Sequence, residues 1–340
     1  MKPSTLPKPG TAPQRRTGGT FFFVLLSIAA GLLLSTQSRI NGALGAALGD
    51  AITASTISFG VGLAALVLLA LLSPPVRASV ARVPGALARG DFPSWYLAAG
   101  VVGALVVFSQ ATAIALVGVA LFTVCLVTGQ CIGSMALDRI GFGGAPPRKI
   151  SALRLLGAVL TIAGVIWAAS PRGAGTDLLA LLLPMILSAV VGVLMGFQSA
   201  SNGVQAAAYG TAAAAALVNF ATGFVVLVAL MLLRLPAGIG LNPFPAHWWY
   251  YSGGLLGCLF VGITVMAIKR LGVLVTSLAA AGGQLIGSLL LDVLAPAAGS
   301  SVSPATVMGT ILTLLAVALA SLAGHRKSTA GTREKTPALN

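Results

Sequence analysis

Six amide side chains in the apolar stretches of this chain recur at helical spacing. Gln37 and Asn41 are four residues apart and therefore share one face of a helix, and the same pair recurs further along the chain. The six are Gln37, Asn41, Gln130, Gln198, Asn202 and Gln284. Such groups can line a binding cavity or join helices by hydrogen bonds, and the sequence leaves both roles open. Gln110 and Asn219 are weaker candidates because neither has a repeat partner of its own type.

Two aspartates follow two of these glutamines at the same distance. Asp138 comes eight residues after Gln130, and Asp292 comes eight residues after Gln284. Each aspartate closes an apolar run, so we expect it to end a helix or to pair with a loop; proton coupling is the alternative. Arg39 lies near the end of the first run, where it can extend to the membrane surface or attract an anion.

The sequence contains no pattern typical of an enzyme or of an ATP-driven motor. It has no GxxxxGK(S/T) phosphate-binding loop, no HExxH, and no His and Cys cluster with the spacing of metal ligands. The two histidines, His247 and His325, both lie outside the apolar runs. We therefore predict a protein without catalytic activity, metal or cofactor.

The composition indicates that lipid surrounds the chain. Of its 340 residues, 57% are hydrophobic and 8% are charged, whereas about a quarter of the residues in soluble domains are charged. Apolar runs of ~20 residues fit membrane-spanning helices better than the shorter strands of a barrel. The net charge of +14 could suit a nucleic acid, but the basic residues lie between the apolar runs. That placement favours membrane topology, so we expect no nucleic-acid partner.

Ten apolar runs are long enough to cross a membrane, so we predict an all-α polytopic protein. The runs cover residues 20–38, 51–72, 95–115, 118–137, 151–169, 178–199, 211–233, 248–268, 272–291 and 304–323. Segments rich in proline and glycine separate them. The predicted organisation is a disordered basic tail (1–19), a first five-helix unit (20–170), a linker (171–177), a second five-helix unit (178–323) and another disordered basic tail (324–340).

The second group of five helices repeats the first. The segment QSRING at Gln37 matches QSASNG at Gln198, an offset of 161 residues (198 − 37). Later the offset is 154, where GQCIGS at position 129 matches GQLIGS at position 283 (283 − 129). Both copies of this second motif hold two glycines four residues apart, which lets helices approach closely, so we predict a role in helix packing. These glycines are Gly129, Gly133, Gly283 and Gly287.

The repeat is predicted to be inverted. Five helices per unit is an odd number, so the second unit must cross the membrane in the opposite direction to the first. With the N-terminus in the cytoplasm, 17 of the 20 Lys and Arg residues lie on the cytoplasmic side, and Arg39, Arg172 and Arg234 lie on the other. This bias is the one that membrane proteins show, and it places both termini in the cytoplasm.

The motifs of both units form a recognisable set. Gln37-x-x-x-Asn41 is followed by Gly42, the second run holds SFxxG at position 58, and the fourth run holds GQxxGSxxLD at position 129. Over roughly residues 20–323 this set resembles the YdcZ-type family of the bacterial drug/metabolite transporter (EamA-like) superfamily, which typically has one five-helix unit where two are fused here. The second unit departs after Asp292, where the basic, glycine-rich loop is missing, and at Ser201, which replaces Ile40. The resemblance implies a transporter fold in the bacterial inner membrane and export of small molecules.

Two inverted units lined with polar residues favour a carrier that alternates access to a site between the units. Because few charges occur in the apolar runs, we expect a small neutral or amphipathic solute. The alternative is a non-transporting membrane scaffold or assembly partner, for which a sealed bundle is expected. Beyond the lipid bilayer and the solute, a second copy of the chain is a further partner to consider, since a homodimer is possible.

Overall fold

The computed structural model describes residues 17–142, 147, 150–169, 178–238, 240–271, 273–296 and 303–333, and most of these are helical. The described residues form eleven α-helices: α1 (Thr17–Leu48), α2 (Ala51–Leu72), α3 (Pro74–Val80), α4 (Val83–Arg89), α5 (Ala99–Ile140), α6 (Ala152–Ala169), α7 (Leu178–Tyr209), α8 (Ala212–Arg234), α9 (Gly253–Leu271), α10 (Val273–Leu294) and α11 (Pro304–Arg333). The predicted linker at 171–177, most of the first predicted tail (1–16) and the last part of the second (334–340) lie outside the described residues.

Helices of membrane-spanning length account for the ten predicted spans. Within the described residues, seven helical segments are long and apolar enough to cross a membrane. One of them, Ser94–Ile140, is 47 residues long and contains both the third and the fourth predicted span. The shorter apolar helices Gly253–Ile268 and Pro304–Leu319 supply the remaining two. The chain is therefore a polytopic all-α membrane protein.

Helix α5 is a hairpin of two spans that meet at Gly118. Gly118 has φ 77° and ψ 167°, a backbone conformation that side-chain-bearing residues rarely adopt. Trp95 and Phe142 flank the two ends of α5, and their ring centroids are 5.8 Å apart. Residues 99–117 and 119–140 must therefore run in opposite directions.

Helices α1 and α7 extend about ten residues beyond the runs that predicted them. Polar residues such as Gln37 interrupt the hydropathy of the run, but they do not break the helix. Both helices end instead at glycines with positive φ, Gly49 (φ 68°) and Gly210 (φ 96°), which is a common way for a helix to stop. Helix α11 likewise continues to Arg333, into the predicted C-terminal tail, and α3 and α4 occupy the segment after Ser73 where only a break was predicted.

The contacts between the two units are reciprocal, as a two-fold axis requires. A Cβ on Gly129 would clash with the carbonyl oxygen of Ala189, and a Cβ on Gly283 would clash with the carbonyl oxygen of Ile28. Gly283 and Gly129 are 154 residues apart, and Ala189 and Ile28 are 161 residues apart, which are the two repeat offsets. Because each unit has five spans, this axis lies in the membrane plane and the units are inverted repeats.

The helix pairs obey the same symmetry, and they define two ends of the bundle. Helix α1 packs along α10 as α5 packs along α7, while α2 packs on α8 and α6 on α11. The Gly118 end contains the α1–α2 turn (48–51), the break at Gly118 and the end of α10. The Tyr209 end contains the ends of α5 and α7 and the start of α10 at Val273.

Candidate functional site

A buried polar network joins α1 to α5 at the Gly118 end. Asn41 Nδ2 donates a hydrogen bond to Gln110 Oε1 (2.7 Å), and Gln110 Nε2 donates to Ser38 Oγ (3.0 Å). All three side chains are buried. The backbones are also close, since a Cβ on Gly42 would lie 2.7 Å from the Cβ of Ile114. Helices α1 and α5 therefore close this end of the bundle.

The matched positions at the Tyr209 end do not make these contacts. Gln110 corresponds to Thr264 (264 − 110 = 154), whose buried Oγ1 has no hydrogen-bond partner. Gly42 corresponds to Gly203 (203 − 42 = 161), and a Cβ on Gly203 would meet no atom of another helix within 4 Å among the described residues. In the described part of the chain, α7 and α9 are therefore not packed together as α1 and α5 are.

Asn202, the counterpart of Asn41, has a different partner. Its Oδ1 accepts a hydrogen bond from Nδ2 of Asn219 on α8. Asn219 matches Ser58 of α2 (219 − 58 = 161), so both units have a polar side chain at this position. Asn219 Oδ1 and Ser58 Oγ are buried and have no hydrogen-bond partner in the protein.

Gln37 and Gln198 make equivalent contacts in the two units. A Cβ on Gly257 would lie 3.1 Å from Gln37 Nε2, and a Cβ on Gly103 would lie 2.8 Å from Gln198 Nε2. Each glutamine thus lies against a glycine of the other unit. Gln37 is buried and Gln198 is half-buried, in keeping with the difference between the packed α1–α5 pair and the α7–α9 pair.

Gln130 and Gln284 lie on the helices that pack against α7 and α1. Gln130 Nε2 is 3.1 Å from the Sδ atom of Met195 on α7. Gln284 is buried on α10, and its Nε2 has no hydrogen-bond partner. Within the described residues, no hydrogen bond joins two of the six amides that the sequence singled out. Their known partners lie on neighbouring helices instead.

Asp292 caps a helix that belongs to the other unit. This aspartate is 2% exposed, and its two carboxylate oxygens accept hydrogen bonds from the backbone N–H groups of Val119 (3.0 Å) and Ala120 (2.7 Å). These N–H groups open the second segment of α5, where no intrahelical acceptor exists. A carboxylate is favourable at this position because it faces the positive end of the helix dipole.

Asp138, at the matched position of the first unit, is bound differently. It forms an ion pair with Arg154 of α6 (2.7 Å), and its side chain is 39% exposed. The position on α11 that corresponds to Arg154 is Met308 (308 − 154 = 154), so the second unit has no equivalent cation. The two aspartates therefore have the same place in the repeat and different partners.

Further polar contacts hold the Gly118 end together. Asp50 caps α2 by accepting a hydrogen bond from the Thr53 N–H (2.7 Å), and it pairs with Arg234 at the end of α8 (2.6 Å). Burial by itself would raise the pKa of Asp50, but the hydrogen bonds from Thr53 and the Arg234 guanidinium outweigh burial and hold the pKa below its usual value. Arg39 donates to the carbonyl oxygen of Ala295 (2.8 Å), beside α10.

Two regions of the chain, residues 22–167 and 183–319, match the family described as "Putative inner membrane exporter, YdcZ". The chain belongs to the YdcZ family. Each region covers one of the two five-helix units, so this protein consists of two fused YdcZ units. The family, the polytopic membrane fold and the membrane-transporter class that the sequence predicted are confirmed.

The fold of this YdcZ protein has also been seen in a solved structure. A protein of known crystal structure is similar over 91% of this chain and 98% of its own, with a TM-score of 0.57 and 16% sequence identity. At this identity the likeness concerns the fold alone. None of the curated proteins matches the chain significantly.

Gln110 and Asn219 make the hydrogen bonds that the six predicted amides do not make with one another. In the sequence, both are weak candidates because their repeat partners, Thr264 and Ser58, are of a different type. A comparison of the two units of this YdcZ chain by polarity rather than by residue identity finds them, because Gln110 and Thr264 are both polar, as are Ser58 and Asn219.

Proposed function

We propose that this YdcZ protein exports a small neutral or amphipathic solute by alternating access. Membership in a family of inner-membrane exporters supplies the coarse activity. The observation that carries the mechanism is the difference between Gly42, packed against Ile114, and Gly203, which faces open space. In a carrier made of inverted units, one closed end and one open end define one state, and the exchange of their conformations defines the other.

The Tyr209 end is proposed to face the cytoplasm. The described basic residues at this end include Arg77, Arg82, Arg89, Arg139, Arg154, Lys269 and Arg270. The described basic residues of the Gly118 end are Arg39 and Arg234. Basic residues concentrate on the cytoplasmic side of membranes, which supports the proposal that this end and both termini are cytoplasmic. The conformation is then open to the cytoplasm, as an exporter must be when it takes up its solute.

The proposed solute site lies between the units and uses the six amides. Gln37 Oε1, Asn41 Oδ1 and Gln284 Nε2 are buried and have no hydrogen-bond partner in the described part of the protein. A buried polar atom left unpaired costs roughly 1–3 kcal/mol, so a partner from outside the chain, solute or water, is favoured. Residues 92–137 contain no charged side chain, which supports a neutral or amphipathic solute.

The alternative of a non-transporting scaffold has less support. A bundle that serves only for assembly gains nothing from having one end loosely packed. Two units so alike in sequence would then be expected to close both ends in the same way. The different surroundings of Gly42 and Gly203 favour the carrier.

The test measures one distance at each end of the protein, between two spin labels attached at matched positions of the two units. Ala46 and Leu116 lie at the Gly118 end, and Ala207 and Arg270 are the corresponding residues at the Tyr209 end. All four side chains are exposed, so labels attached to cysteines there should not disturb packing. The three native cysteines are replaced by alanine in the background protein.

Substitution of tryptophan at two matched glycines then distinguishes a carrier with alternating access from a non-transporting scaffold. We expect Gly42→Trp to force α1 from α5, so that the Ala46–Leu116 distance lengthens while the Ala207–Arg270 distance shortens. In the matched control, Gly203→Trp should leave both distances unchanged and should stop solute export from proteoliposomes, because the Tyr209 end can no longer close. Lengthening of the first distance with no shortening of the second would exclude alternating access.

A further inference from the structure

The matched aspartates Asp138 and Asp292 provide a second asymmetry between the units. Asp292 caps the second segment of α5 by binding the N–H groups of Val119 and Ala120. By the repeat offset, the N–H groups that Asp138 would cap are those of residues 273 and 274, at the start of α10. Asp138 is bound instead to Arg154.

This difference follows the difference between the ends. The capped α5 start lies at the Gly118 end, where α1 and α5 are packed together. The start of α10 lies at the Tyr209 end, where Gly203 faces open space. In this structure, the helix start that an aspartate of the other unit caps therefore lies at the packed end, and the start that Asp138 does not cap lies at the other end.

The partner available to a released aspartate differs between the units. Asp138 meets Arg154 from the first turn of α6, but the corresponding position in α11 holds Met308. Arg39, the described cation close to the end of α10, is bound to the carbonyl oxygen of Ala295. A released Asp292 thus gives up two hydrogen bonds to a helix N-terminus, and α11 offers it a thioether in place of a guanidinium.

We propose that Asp138 and Asp292 act as alternating caps, each closing its own end of the carrier. Arg154, which has no counterpart in the second unit, holds Asp138 off α10 and favours the state that is open at the Tyr209 end. Arg154 is then a positioning residue that sets the resting state of the exporter. This inference rests on the alternating access proposed above.

Two substitutions that break the same ion pair test the idea, because the proposal expects a rise in the population with a closed Tyr209 end from one of them and no rise from the other. Arg154→Met frees Asp138 to cap α10, so the population with a closed Tyr209 end should rise about two- to five-fold, the range for a partly exposed ion pair. Asp138→Ala removes both the ion pair and the cap, because alanine has no side-chain acceptor for the N–H groups of α10, so this population should fall or stay unchanged. Arg154→Lys retains a cation and should restore the wild-type distribution. The Ala46–Leu116 and Ala207–Arg270 label pairs measure these populations.

Met308→Arg supplies the missing cation and serves as the converse variant. It should draw Asp292 from its cap, so the Ala46–Leu116 distance should lengthen in a larger fraction of molecules. Equal shifts in the same direction for Arg154→Met and Asp138→Ala would assign the ion pair a structural role only and overturn the proposal. Gly42→Trp shows whether a negative result contradicts only the cap proposal or also alternating access. If it moves both label pairs reciprocally while the aspartate and arginine variants move neither, only the cap proposal fails; if it does not, alternating access itself fails.

Discussion

Replacement of Gln110 by leucine tests whether the buried network holds the Gly118 end closed. Gln110 is the shared partner of Asn41 and Ser38, and its side chain is 1% exposed. Leucine fills a similar volume and offers no hydrogen bond. The substitution therefore removes both contacts between α1 and α5 without opening a large cavity.

The size of the expected destabilisation follows from the two hydrogen bonds of Gln110 that are lost and from the buried polar groups that lose their partner. Hydrogen bonds between membrane helices contribute about 0.6 kcal/mol on average and up to about 1.7 kcal/mol. Asn41 Oδ1 already lacks a partner, so Gln110→Leu leaves the whole buried Asn41 amide unpaired. We expect the closed Gly118 end to lose about 1–3 kcal/mol, which is a roughly five- to 150-fold shift between the two states.

The Ala46–Leu116 label distance in proteoliposomes measures this shift directly. Thr264→Val is the matched control, because Thr264 occupies the same place in the second unit and its Oγ1 has no partner. Valine there should leave the distance distribution and the melting temperature close to those of the parent protein. The reasoning is wrong if Gln110→Leu gives the same distance distribution as Thr264→Val.

Three further predictions concern packing, pH dependence and topology. Alanine at Gly129 or at Gly283 should lower the free energy of unfolding in detergent by about 1–3 kcal/mol, because each Cβ would clash with a carbonyl oxygen of the other unit. The two substitutions should have effects of similar size. A large effect at only one site would contradict the two-fold packing. Asp50→Ala and Thr211→Ala each remove a helix cap and should each cost about 0.5–2 kcal/mol in the same measurement. The pKa of Asp50 lies below its usual value, so the contribution of its carboxylate to the free energy of unfolding is complete above about pH 4 and is lost as the pH falls through the folded-state pKa. The Thr211→Ala variant should retain this pH dependence, and the Asp50→Ala variant should lose it. A cysteine at Thr329 should not react with an impermeant maleimide added outside intact cells, and reaction there would reverse the proposed orientation.

The sequence by itself determined the architecture of this protein. Apolar runs of membrane-spanning length are local features, since each helix must satisfy its own backbone hydrogen bonds in lipid. Two constant offsets, 161 and 154, revealed the repeat, and an odd number of spans per unit required its inversion. The ends of α1 and α7 were less certain, because Gln37 and Gln198 lower the local hydropathy while the helix continues.

Only the tertiary structure decided which polar groups meet. Asn41 pairs with Gln110, 69 residues away on another helix, and helical spacing shows which face a residue shares but not what lies opposite that face. The same limit applies to Asp292, whose partners are backbone N–H groups of α5 that no sequence motif marks. The difference between the two ends was also hidden from the sequence. Gly42 and Gly203 stand in nearly identical motifs, and two arrangements of similar free energy can exchange their surroundings without any change in either motif.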